Sequence, residues 1–336
     1  TFIRTLESFE FSVSRLNALV LSFFRRFAHL LRERFASDFQ QAIREAQHQP
    51  MIVNNGDELA KVLSVCWLKP GEADQLKQLP FPLSLPFSQT YPLCCMDIRS
   101  LVEQYYSFSS GMTQYHQDID LILTQSLDDL LIQQISINIR DTVEESTNLS
   151  QIAQIIVNIE HFQLACSELE RWLSESRTPN PGSRLALGAS EHLSTTLEIA
   201  QKRIDSAMFV KLDQFLDLLE YDWMPIQSAS MQRQPSSYLR DLIDWLSTMM
   251  ESALVLLPKV AKDATFTSCF MHISNRLLNS ALLDRQVKMI NLAALTNLDV
   301  DITFVYQYAK SLNVHGVETV FGQVRQTLGC LLYTSD

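Results

Sequence analysis

The side chains best able to do chemistry fall into four small groups. Cys94 and Cys95 are adjacent, just behind prolines at 80, 82, 86 and 92. A zinc site wants thiolates about two to four residues apart and a second ligand pair elsewhere. No Cys-x-x-Cys occurs in the chain, so the pair reads as packing residues. His116, Asp118 and Asp120 offer ligands for a divalent ion, but polar residues ahead of the apolar run at 121–123 are also how a solvated helix begins. Asp128 and Asp129 start the Asp-Asp-x-x-Asp pattern that holds magnesium against a diphosphate. Ile132 takes the place of the third carboxylate and no second such motif follows, so an isoprenoid synthase is disfavoured. Glu160, His161 and Cys166 lie on one helical stretch, yet two adjacent ligands and one five residues on do not converge on an ion. Cys166 falls in an apolar stripe, which leaves Glu160 and His161 as a surface pair. No Gly-x-Ser-x-Gly elbow, His-Glu-x-x-His, Walker loop or Gly-x-Gly-x-x-Gly appears. No enzyme, metal or cofactor is expected.

The apolar spacing around these groups is helical almost everywhere. From Thr5 to Gln47, Leu16, Leu19, Phe23, Phe27, Leu30, Leu31 and Phe35 recur at intervals of three and four, while Arg25, His29 and Arg32 take another face. One long amphipathic helix, or two, is predicted. Phenylalanines beside arginines also suit a membrane surface, but a core-facing stripe has the same pattern and packing is the expectation. A short helix follows over Asp57–Val65. The prolines from 80 to 92 remove amide donors and push the preceding residues out of the α region, which predicts a stiff extended connector. Phe81, Leu83, Leu85 and Phe87 alternate along it and should press between helices while the prolines face out. A helix restarting near Pro92 puts Cys94 and Cys95 in its first turns, one of them inward.

Further helices are predicted over Leu121–Val143 and Leu149–Leu173, the second with Ile152, Ile155, Ile159, Phe162, Cys166, Leu169 and Trp172 in one stripe. Residues 174–192 have the Pro, Gly and Ser density of a surface loop. A helix over Ser194–Tyr221 stops before Pro225, and after a polar run Ser236 or Ser237 caps the next. Pro258 suits the first turn of a helix ending near Leu283, and Asp299 suits the cap of a last one over Val300–Leu312. The expected division is an N-terminal helical subdomain at 1–225, containing the connector 80–92 and the loop 174–192, and a C-terminal helical subdomain at 236–329. Cys-Leu-Leu-Tyr-Thr-Ser-Asp at 330–336 resembles a translated sequencing adaptor and is set aside. The chain starts at Thr1 rather than Met and reads as a fragment continuing past Gly329.

Composition narrows the function classes. The chain is 46% hydrophobic and 19% charged over 336 residues, enough for one or two cores. It has 8 glycines where average usage would give about 7%, so few turns of positive φ are available and the fold should be all-α. A net charge of -11 disfavours nucleic acid, whose binding rests on Lys and Arg replacing counterions. Six cysteines without framework spacing suit a reducing, cytoplasmic compartment. No run reaches the roughly 18 apolar residues of a membrane span, since 16–24 meets Arg25 and Arg26.

Several stretches together go beyond composition: PFPLSLPFSQTYPLCCMDIRSLVEQYYSFS at 80–109, IAQIIVNIEHFQLACSELERWL at 152–173, KLDQFLDLLEYDWM at 211–224, residues 236–278, and VKMINLAALTNLDVDITFVYQYAKSL at 287–312. In this order and spacing the chain resembles the exocyst subunit of the Sec-fifteen family, from Pro50 to Gly329, with wording around LPFSQTYPLCC and VKMIN nearer to fungal members. The resemblance implies an elongated rod of stacked antiparallel helical bundles in a complex that tethers secretory vesicles to the plasma membrane. It implies no enzyme. It further implies that the C-terminal subdomain is an effector of a GTP-bound Rab GTPase, that other exocyst subunits are partners, and that membrane association is indirect. The protein would then be cytoplasmic and peripheral at secretory vesicles and sites of exocytosis. The expected Rab surface is Asn297, Leu298, Asp299, Phe304 and Tyr308. The competing expectation is a purely structural rod of another tethering complex without Rab contact.

Overall fold

In the computed structural model, residues 2–44, 48–110, 116–175, 186–218, 221–225, 234–279 and 289–334 are described. They are overwhelmingly helical: α1 (Phe2–Ser8), α2 (Ser14–Arg44), α3 (Gly56–Val65), α4 (Glu72–Lys77), α5 (Thr90–Ser109), α6 (His116–Leu130), a π-helical turn (Leu131–Ser136), α7 (Ile137–Glu145), α8 (Leu149–Glu175), α9 (Ala189–Leu216), α10 (Ser237–Glu251), α11 (Lys259–Leu277), α12 (Leu292–Ser311), α13 (Val317–Val320) and α14 (Gly322–Thr334). Strands β1 (Ile52–Val53) and β2 (Leu83–Ser84) pair antiparallel, Val53 opposite Leu83. Packing divides the chain into one unit of residues 1–147 and 154–200 and another of 148–153 and 201–336. The subdomain expected at 236–329 falls inside the second unit. The middle of the loop expected at 174–192 lies outside the described residues, and so do parts of the polar run before α10 and of VKMIN.

In the first unit, α2 packs along α5 and α6. Phe24, Ala28, Leu31, Phe35, Phe39 and Ile43 recur at helical spacing and are buried against Ile98, Leu101, Val102 and Tyr105 of α5 and Ile119, Leu123 and Leu127 of α6. Helix α8 adds Ile155, Ile159, Phe162, Cys166, Leu169 and Leu173, while Trp172 is only half-buried.

The proline stretch is a covered connector, and its backbone shows why the covering works. Leu85 N–H donates to Met51 O at 2.8 Å and Met51 N–H donates to Phe87 O at 3.0 Å. Gln154 Nε2 donates to Pro86 O at 2.9 Å, Ser88 N–H donates to Asn158 Oδ1 at 3.0 Å, and Asn158 Nδ2 donates to Ser88 Oγ at 2.8 Å. Two amides one turn apart on α8 therefore satisfy a buried segment in which proline has already removed a donor. Leu83, Leu85 and Phe87 are buried as expected, but Phe81 is exposed and Pro92 buried. Both cysteines, not one, face inward, each 0% exposed. The α5 register explains this: Tyr91, Cys94, Cys95, Ile98, Leu101 and Val102 form a stripe wide enough to include the pair.

Other expectations are corrected by local chemistry. Of the one or two helices expected in the N-terminal stretch, two are present. Helix α4 was not foreseen; its entry is Lys69-Pro70-Gly71, with Gly71 at φ 81°, a turn conformation that glycine adopts freely. Helix α9 ends at Leu216, not Tyr221. Pro258 is the N-cap of α11 and not a first-turn residue; α11 runs to Leu277, a π-helical turn follows at 278–279, and the end expected near Leu283 lies outside the described residues. Asp299 caps nothing: α12 begins seven residues earlier, where Asn291 Oδ1 accepts from Ala294 N–H at 2.9 Å.

Candidate functional site

Helix α12 carries all the residues expected to form the partner surface. Asn291 fixes its start twice, capping Ala294 and donating from Nδ2 to Pro225 O at 2.8 Å, while its own amide donates to Trp223 O at 3.0 Å. Leu295, Leu298, Ile302, Val305 and Ala309 then point into the second unit's core with Phe270 and Phe321. The centroid of the half-buried Tyr308 ring lies 6.2 Å from that of Phe270, and Arg325 sits 4.3 Å over Tyr306.

The five expected residues do not share one face. At about 100° per residue, Asn297, Phe304 and Tyr308 fall at i, i+7 and i+11 on one flank, all half-buried. Leu298 is fully buried, so it belongs to the core and not to any exposed face. Asp299 is exposed, about 160° around the helix from the aromatic flank.

Between Asn297 and Phe304 on that flank stands Asp301, which sequence reasoning passed over. It is 0% exposed. Its Oδ2 accepts from Ser236 Oγ at 2.6 Å, Tyr221 at 3.0 Å and Tyr238 at 3.2 Å, and its Oδ1 accepts from the Ser236 amide at 2.7 Å. The hydroxyl expected to cap α10 is thus spent on Asp301, and Ser236 makes no side-chain capping bond. Burial, reinforced by the Asp301 charge, holds the Tyr221 phenol far above its ordinary range, and burial pushes Tyr238 up to about 12. Both are permanent donors at neutral pH. No sequence signal marks the cluster, because Asp301 lies 63 to 80 residues from its three partners.

The chemical-looking groups with described contacts serve the fold, while the His116 side chain lies outside the described residues. Asp120 accepts from Tyr106 at 3.2 Å. Asp128 caps α9, its two oxygens accepting from Gly188 N–H at 2.9 Å and Ala189 N–H at 2.8 Å, and Asp129 pairs with Arg32. His161 is 6% exposed and not a surface residue: it stands edge-on to Phe87 and Tyr91, with Nδ1 2.8 Å from Val157 O. Its Nε2 is 3.7 Å from Glu72, beyond hydrogen-bonding distance, so the two interact through space. Burial raises the thiols of Cys94, Cys166 and Cys269, and a hydrogen bond to Cys95 together with burial raises Cys66, so none of these is a ready nucleophile. Among the described residues no group of three His, Cys, Asp or Glu side chains is placed to hold a metal ion, and no helix is long and apolar enough to cross a membrane.

The arrangement offers surfaces for macromolecules, and comparison with known proteins says which kind of protein carries it. The family model described as exocyst complex subunit Sec15, C-terminal, matches residues 15–335. The chain belongs to this family. It is 25% identical to exocyst complex component SEC15 of Saccharomyces cerevisiae over 310 residues, which are 90% of this chain and 34% of that protein. Exocyst complex component 6 of Rattus norvegicus is 26% identical over 97% of this chain and 41% of its own length. Exocyst complex component sec15 of Schizosaccharomyces pombe is 24% identical over 98% of this chain and 43% of its own length. These identities do not separate fungal from animal members. The chain spans well under half of each of these relatives. A crystal structure of a Sec15 C-terminal domain has the same fold, with a TM-score of 0.59 at 20% identity, covering 95% of this chain and all of that one. The helical architecture of the Sec15 C-terminal family is therefore present here.

Proposed function

We propose that this chain is the C-terminal part of an exocyst subunit that tethers secretory vesicles to the plasma membrane before fusion. In this reading it binds other exocyst subunits and docks a GTP-bound Rab GTPase through α12. Family membership across 15–335 carries the first part. What supports the second is the makeup of α12. Its flank of Asn297, Phe304 and Tyr308 combines an amide with aromatic area, beside a stripe of the same helix that is locked in the core. A modest interface of roughly 1,200 Å² or less is recognised by this kind of mixed patch, with aromatic anchors carrying most of the energy. Asp299, on the far side, contributes at most long-range electrostatics.

The test is retention of nucleotide-loaded Rab proteins on the immobilised chain. The GTP form should be held over the GDP form, Phe304→Ala should weaken retention by about tenfold or more, and Asp299→Arg should change it little. Equal retention of both nucleotide states refutes effector activity. Loss with Asp299→Arg but not with Phe304→Ala places the contact on the other side of α12.

A further inference from the structure

A helix packed into a bundle needs one apolar stripe, and α2 has two. Rotated by about 100° from the buried one is a second stripe of Leu19, Phe23, Phe27 and Leu30, in which Leu19 is 51%, Phe23 57% and Leu30 49% exposed. Together with Val20, Phe24 and Phe108 of α5, the Phe23–Leu30 part of this stripe lines a groove of about 240 Å³, and Arg26 is the one charged side chain at its wall. Its floor is an aromatic stack, Phe27 on Phe108 with centroids 4.0 Å apart and Phe24 edge-on to Phe108 at 5.4 Å. Among the described residues the floor is fixed by packing below it and open above it.

The charge around the groove runs against that of the chain. From residue 11 to 32 there is no Asp or Glu, while Arg15, Arg25, Arg26 and Arg32 fall there, in a chain of net charge -11. Arg32 is taken by Asp129. Arg15 and Arg26 lie eleven residues apart and so share the edge of the exposed stripe, and neither meets a carboxylate among the described residues. Glu33, farther along that edge, is 3.3 Å from His29.

We propose that this groove docks an amphipathic helix of a protein partner, whose apolar side chains enter between Phe23, Phe27 and Phe108 and whose flanking Asp or Glu residues meet Arg15 and Arg26. The recess decides against a bilayer: two helices wall off an aromatic floor that accepts an inserted side chain, whereas a membrane surface takes protruding side chains and a larger field of cations. The acid-free rim decides the partner's sign. This reading is separate from α12 and stands without any Rab contact.

The test uses two synthetic helical peptides with leucine at i, i+4, i+7 and i+11, one flanked by glutamates and one by lysines, and measures their binding to the chain by fluorescence anisotropy. The glutamate peptide should bind at least about tenfold more tightly than the lysine peptide. Phe23→Ser and Arg26→Glu should each cost about tenfold, and Arg15→Glu with Arg26→Glu should reverse the preference between peptides. Helicity by circular dichroism should be unchanged, since Phe23 and both arginines are exposed. If Phe23→Ser misfolds, the charge-reversal arm decides alone. Equal binding of both peptides, or binding unaffected by these substitutions, overturns the proposal. So does sedimentation with phosphatidylserine vesicles in the absence of peptide binding, or a dimer of the chain that Phe23→Ser converts to monomer.

Discussion

Replacing Asp301 should loosen the second unit more than any other single polar substitution. The carboxylate is 0% exposed and accepts four hydrogen bonds at 2.6 to 3.2 Å. Asp301→Ala removes the acceptor of the buried Ser236 amide and of the Ser236 and Tyr221 hydroxyls, leaving the two hydroxyls only the weaker pairing with Tyr238, which can itself turn to water. A stranded buried donor costs about 1–3 kcal/mol. Relief from burying a charge offsets part of the sum, so a net loss of about 3–5 kcal/mol is expected. Asp301→Asn keeps an acceptor for the three Oδ2 bonds but sets its NH₂ against the Ser236 amide, a cost of about 1–3 kcal/mol. Tyr221→Phe removes one donor and leaves the carboxylate three others, about 1 kcal/mol. Urea unfolding at neutral pH should rank the variants Ala, then Asn, then Phe. Hydrogen exchange should localise the loss to α10 and α12. A loss below about 1 kcal/mol for Asp301→Ala, or Tyr221→Phe costing as much as Asp301→Ala, would show that the carboxylate does not hold these segments together.

Asp128→Ala removes the side-chain bonds to Gly188 and Ala189 at the start of α9; unfolding should show a cost of about 1–2 kcal/mol, with exchange rising first around Ala189. Asn291→Ala loses the cap of α12 and the bond to Pro225, again about 1–2 kcal/mol by urea midpoint. Burial, and then the charge of Asp38, raise the Asp97 carboxyl above its usual range, so the folded state holds that proton more tightly than the unfolded one. Asp97→Asn should therefore stabilise the chain at pH 7 by well under about 1 kcal/mol after solvent screening, a gain that fades as pH falls through the raised value in a pH series of urea midpoints. Glu72 has the opposite sign: His161, and then the Lys69 amide, hold its carboxyl below the usual range against the effect of burial. Its contribution is present above the unfolded value of about 4.3 and is lost as pH falls through the lower folded value, so Glu72→Gln should flatten that acid limb of the stability profile.

Much of the helical layout was legible because one-sided stripes leave a 3.6-residue signal. The α8 stripe and the helical context of Cys94 and Cys95 came from spacing alone. What spacing cannot say is which of two stripes is buried. On α2 the stripe expected to face the core is only partly right: Leu31 and Phe35 are buried, but Leu19, Phe23 and Leu30 are exposed while Phe24 and Ala28 take the inner face, because only the presence of α5 and α6 decides between two equally apolar sets. Caps fail differently. Asp299 precedes an apolar run and looks like a start, but so does Asn291, and the seven intervening residues were compatible with either. His161 read as a surface residue because nothing local shows that Phe87 and Tyr91, some 70 residues earlier, cover it. Asp301 was illegible for the same reason, since a buried carboxylate is recognisable only when its distant donors are in view.

That carboxylate also bears on how homologous chains can differ. Tyr221 and Ser236 are fifteen residues apart, and both are tied to the one Asp301 carboxylate. With its ends moored at one point, the intervening stretch can gain or lose residues without dragging α10 out of register. Natural insertions and engineered tags placed after Pro225 and before Ser236 should therefore be tolerated, provided that Tyr221, Ser236 and Asp301 and the contacts of Asn291 to Trp223 and Pro225 are kept.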